Sequence, residues 1–116
     1  MNVYTVVIGA TGVDYVAQFK DPVTQALVNI TGATSLRLTG SSGDLPSNPI
    51  DQVGTILDGP NGMAKWAALG ADAYVSIADM GSRDTATYTM EPVVVDAAAK
   101  KFFGERFQIV WVKPLV

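Results

Sequence analysis

The chain contains no histidine and no cysteine. Zinc sites rest on those two residue types, so none is expected. The Ser-His-Asp and Cys-His nucleophile arrangements are excluded for the same reason. No disulfide can form, so oxidation plays no part in stability. Charge is scarce as well. Only 16% of residues are Asp, Glu, Lys or Arg, where about a quarter is usual. Eight basic residues stand against eleven acidic ones, a formal net charge of -3. Lys100-Lys101 is the only basic pair. A pI near 4.6 with scattered cations argues against nucleic acid as the partner. No apolar run approaches the ~18 residues of a membrane helix, so no membrane partner is expected. Met1-Asn2-Val3-Tyr4 lacks a basic n-region and Val6-Val7-Ile8 is too short for an h-region, which predicts synthesis in a cytoplasm. Asn29-Ile30-Thr31 fits a glycosylation sequon, which matters only in a secreted chain.

What is present is apolar and heavily punctuated. Hydrophobic residues make up 48% of the 116, as in a globular chain rather than a disordered one. A chain of 12.2 kDa folded as one unit should expose roughly 6,000 Å² of the roughly 17,700 Å² it exposes unfolded. Residues 1–116 are therefore expected to form a single domain. A small domain with so little charge is expected to cover part of its surface with other protein.

Eleven Gly and six Pro divide the chain into short β-like runs. Val3 to Ile8 is β-branched and almost wholly apolar. From Asp14 to Lys20 the pattern alternates, with Tyr15, Ala17 and Phe19 on one face, and Asp21-Pro22 stops the run. Ser35 to Thr39 points Leu36 and Leu38 inward and Arg37 outward. Val53 to Leu57 is a further apolar run. Thr85 to Glu91 alternates most cleanly, with Ala86, Tyr88 and Met90 on one face. Arg106 to Lys113 puts Phe107, Ile109 and Trp111 on one face, yet the other carries Val110 and Val112 beside Gln108. That second apolar face predicts a covering surface.

Two stretches admit alternatives. Met63 to Ile77 reads as a helix by its spacing, or as a strand at Gly62 to Ala67 followed by a loop or short helical turn near Ala71 to Met80. Asp96 to Phe103 reads as a short helix capped by Asp96, or as a long hairpin loop. About seven short strands in an antiparallel sandwich, with at most one short helix, is the expected all-β fold.

Several motifs suggest chemistry and have plainer readings. Val6-Val7-Ile8-Gly9-Ala10-Thr11-Gly12 resembles the first strand and glycine turn of a dinucleotide site. Tyr15 stands where the third glycine belongs, so a turn between two strands is expected and no cofactor. Asp58-Gly59-Pro60-Asn61-Gly62 lacks the bidentate Glu of a calcium loop and reads as a hairpin turn. Asp72, Asp79, Arg83 and Asp84 lie close in sequence. Asp79 and Asp84 are the pair a small hydrolase would use, although no activated nucleophile or His base accompanies them. Trp66 and Trp111 read as core fillers, and an exposed Trp66 or Tyr74 would instead suit a carbohydrate-binding sandwich. Phe102-Phe103 beside Lys100-Lys101 is a candidate contact patch.

Several segments together carry a resemblance. Asp14 to Asp21 is followed by Asn29-Ile30-Thr31-Gly32-Ala33-Thr34-Ser35-Leu36-Arg37-Leu38, then by Asn61-Gly62-Met63-Ala64-Lys65-Trp66. Thr85 to Glu91 and a last strand through Phe107 and Val112 complete the pattern. This order resembles the immunoglobulin-like domain at the N-terminus of phage baseplate upper proteins and related small phage tail and fibre proteins. Asp84-Thr85-Ala86-Thr87 stands where the family commonly has Pro-Gly. The resemblance implies an immunoglobulin-like antiparallel β-sandwich. It implies a non-enzymatic virion part that is multimeric, contacts other virion proteins and binds no cofactor. With no large C-terminal extension, it further implies a small adaptor, completion or decoration component. The expected contact surfaces are Val110 and Val112, the tail Pro114, Leu115 and Val116, and the segment Lys100, Lys101, Phe102 and Phe103.

Overall fold

The computed structural model describes residues 1–115. In chain order the strands are β1 (Val3–Val7), β2 (Tyr15–Gln18), β3 (Ser35–Ser41), β4 (Ile50–Val53), β5 (Thr55–Asp58) and β6 (Met63–Trp66). After one helical turn, α1 (Ile77–Met80), come β7 (Thr85–Val95), β8 (Lys101–Phe103) and β9 (Phe107–Val112). The larger sheet runs β1-β9-β7-β3-β4, with β8 also paired to β7, and the smaller runs β2-β6-β5. All these pairs are antiparallel except β1 with β9. This is the strand order of an immunoglobulin-like sandwich, with β1 on the larger sheet instead of beside β2. The molecule is elongated, 45 × 25 × 22 Å, and exposes 6459 Å².

The core is the set of inward residues that alternation selects. Phe19, Leu38, Trp66, Tyr88, Met90, Ile109 and Trp111 are all fully buried. Tyr88 meets Trp111 edge-on at 5.3 Å between centroids. Their polar atoms are also satisfied: Trp111 Nε1 donates to the Leu69 carbonyl at 2.8 Å, Trp66 Nε1 to Gln52 at 3.0 Å and Tyr88 Oη to Asn48 at 2.7 Å. The two indoles and the Tyr88 phenol thus fill the interior with their own donors paired, and no cross-sheet disulfide is needed.

Several expectations are refined. The Val53 to Leu57 run is two strands, because the chain passes from one sheet to the other at Gly54. Thr85 to Glu91 continues to Val95 through Pro92. The missing Pro92 N–H costs no ladder bond. The Pro92 carbonyl accepts from Gly104, so its nitrogen faces the gap where β9 ends and β8 begins. Met63 to Ile77 is not one helix. It is β6, then a loop, then α1, closed by a capping box between Ser76 and Asp79. Asp96 to Phe103 is a hairpin turn whose Asp96 Oδ1 accepts from Ala98 and Lys100, leading into β8. Gly9 and Gly62, both at positive φ, sit in turns. The second turn is closed by Asn61, which donates through both its backbone and its side chain to Asp58.

Candidate assembly interface

The outer face of the larger sheet follows from its register. Val3, Thr5 and Val7 of β1 lie opposite Gln108, Val110 and Val112 of β9. Those in turn lie opposite Thr89, Thr87 and Thr85 of β7. Paired residues share a face, and the alternate positions Val6, Ile109, Trp111, Ala86 and Tyr88 are buried on the other. The result is a three-by-three grid of valine, threonine and glutamine with no charged member. Val3 is 57% exposed and Val7 is also exposed, while Val110 and Val112 are half-buried between neighbouring strands.

Two ion pairs border this grid. Arg106 Nε meets Glu91 Oε2 at 2.8 Å, and Arg83 meets Asp44 at 3.4 Å. Asp44 also accepts from the Thr87 N–H. The Glu91 carboxylate raises the pKa of the Arg106 guanidinium, which stays charged.

The predicted contact residues divide. Val110 and Val112 lie within the grid. Lys101 and Phe103 share the outer face farther along β7, beside Val95 and Val93, with Lys101 Nζ 5.4 Å over the Phe103 ring. Phe102 points the other way and packs against the core. Lys100 belongs to the Asp96 turn. Leu115 is exposed beyond β9, and Val116 lies outside the described residues. The members not foreseen are Val3, Thr5 and Val7. Their signal in the sequence is the same as that of β9, an apolar run that no single buried face explains.

Trp66 and Trp111 fill the core as expected, and the two alternative sites are not assembled. Trp66 is 1% and Tyr74 8% exposed, so neither offers a sugar a ring face. Both are consumed by packing, Trp66 between the sheets and Tyr74 stacked near Trp111. Asp79 and Asp84 do not share a cleft among those described. Asp79 borders one of about 360 Å³ with Asp44 and Asn48, which Asp84 does not line. The Asp79 carboxylate accepts from the Ser76 N–H, which lowers its pKa.

Local hydrogen bonding fixes the acid behaviour of the fold. Asp14 is held below the usual carboxylate range by the Ala68 N–H and then by Lys65. Asp21 is lowered by the N–H groups of Thr24 and Val23. Burial pushes the Tyr15 phenol up to about 12. Depressed carboxyls stabilise the fold above their unfolded value of ~3.9, and that stability is lost as pH falls through their lower folded values. A raised phenol stabilises below its unfolded value of ~10 and is lost as pH rises toward the folded one. With no histidine or cysteine between these limits, the melting temperature is expected to be flat from about pH 5.5 to 8.5 and to fall below ~4. Thermal melts across that range check it, and a step near pH 6.5 would contradict it.

No protein-family model matches the chain, and no curated protein matches it.

Proposed function

We propose that this protein is a non-enzymatic structural component of a phage virion, in the tail, baseplate, fibre attachment or decoration layer, and that it acts by protein–protein assembly. The virion setting, with synthesis in the host cytoplasm, rests on the resemblance of its segments to the immunoglobulin-like phage domains. The assembly mode rests on one observation, the uncharged grid on β1, β9 and β7. A chain of net charge -3 repels its own copies. Face-to-face packing of this grid brings copies together where no like charges meet. The grid has the make-up of an interface centre, and the bordering ion pairs have that of a rim. Val93, Val95 and Phe103 extend the same face toward further virion proteins.

Val110→Asp and Val112→Asp test this reading. Each places a carboxylate in the grid while leaving the inward side of β9 intact. The variants are expected to fold with melting temperatures within a few degrees of the parent and to sediment as monomers. Variants that assemble as the parent does would refute the surface.

A further inference from the structure

The smaller sheet has an unoccupied flank. Where constant-type immunoglobulin sandwiches place a fourth strand beside the second, β2 pairs among the described residues only with β6, because β1 has joined β9. The Phe19 N–H donates to Gly62, so Phe19 and the alternate residues Ala17 and Tyr15 direct their backbone groups toward β6. Val16 and Gln18 direct theirs to the open side. On the facing edge, Asn2 and Ile8 bond across to β9, so the alternate residues Val3 and Thr5 also direct their backbone groups outward.

Between these two edges lie two clefts of about 590 and 450 Å³, which share Tyr4, Tyr15 and Val16. Consecutive residues line them: Tyr15 through Gln18 in one, and Tyr4 through Val6 with Asp14 through Val16 in the other. Alternate residues line a space bounded by a strand's face, whereas consecutive residues line one bounded by its edge. The clefts therefore follow the free edges, and the middle of the groove carries Tyr4, Thr5, Tyr15, Val16 and Ala17, none of them charged. Charge is confined to the ends, at Lys20, Asp21 and Glu105 and at the Asp14–Lys65 ion pair.

We infer that this groove takes an extended segment of a different polypeptide, added as a strand along β2. Its inward side chains would be aliphatic, set against Tyr4 and Tyr15, and its outward ones polar and uncharged. Unpaired backbone donors and acceptors at strand spacing select an extended backbone, and the uncharged middle selects the side chains. The groove meets the outer face of the larger sheet at β1, where Thr5 belongs to both, but Val110 and Val112 lie outside it and Val16 and Gln18 outside the grid, so either surface can fail without the other.

The probe is a synthetic peptide of alternating valine and threonine with a lysine at each end, titrated to ~1 mM, a range that reads weak binding. Amide exchange at Val16 and Gln18 is expected to slow at least ~10-fold, since a paired amide exchanges only on opening. The same peptide N-methylated at alternate backbone nitrogens should give no protection. Val16→Pro removes the outward N–H and leaves the β6 ladder bonds in place, and it should abolish the effect while Val16→Thr preserves it. No slowing, or equal slowing with the N-methylated peptide, would overturn the proposal. Protection that rises with protein concentration in the absence of peptide would also overturn it, by assigning the groove to a second copy.

Discussion

Trp111→Ala is expected to lower stability by about 3–5 kcal/mol, the range for truncating a large buried aromatic. Trp111 is fully buried near the C-terminal end of β9. It meets Tyr88 edge-on and Tyr74 in a near-parallel stack, with centroids at 5.3 and 6.3 Å. Alanine removes both contacts, leaves a cavity between the sheets and strips the Leu69 carbonyl of its indole donor. A domain of this size has about 5–15 kcal/mol in total, so the variant sits near the limit of folding. The melting temperature should fall by roughly 10–20 °C. Trp111→Phe keeps most of the volume and loses only the donor, so its cost should be clearly smaller. Denaturant titration of the three proteins checks the ordering. Equal losses for Ala and Phe would mean that the hydrogen bond, not the packing, dominates.

Gly54→Ala is expected to cost about 1–3 kcal/mol, as overpacking does, and Gly54→Val more. Gly54 joins β4 to β5, where the chain leaves one sheet for the other. A Cβ there would lie 2.5 Å from Trp66 Cε2 and 2.8 Å from Nε1. The ring cannot swing aside freely, because it is buried and its Nε1 is bonded to Gln52 beside the crossing. Close approach is thus the reason for glycine at this point. The cost should shrink when Trp66→Phe is made first, since the smaller ring vacates the contested volume. A double-mutant cycle measures that coupling, and strict additivity would show that Trp66 is not the obstacle.

The parts of the fold legible in the sequence are those set by local alternation. Tyr15, Ala17 and Phe19, Leu36 and Leu38, Ala86, Tyr88 and Met90, and Phe107, Ile109 and Trp111 all turn inward as their spacing requires, Tyr15 less deeply than the rest. The parts that were not legible depend on distant partners. Nothing near Pro92 announces that the strand survives it, because the gap that spares its N–H is made by β8 and β9. Val53 to Leu57 reads as one strand until the two sheets exist for it to cross between. The same limit applies to the interface. Val110 and Val112 stood out because β9 is apolar on both faces. Val3, Thr5 and Val7 joined them only through a parallel pairing between opposite ends of the chain. Read alone, β1 could equally have been a strand buried on both sides.

The uncharged face of β1, β9 and β7 is proposed to join copies of this chain, and light scattering of the purified protein over a concentration series tests that role. A closed oligomer whose mass is constant over that series, and which Val110→Asp reduces to monomer, is the predicted result. A monomer at every concentration would contradict self-assembly through this face.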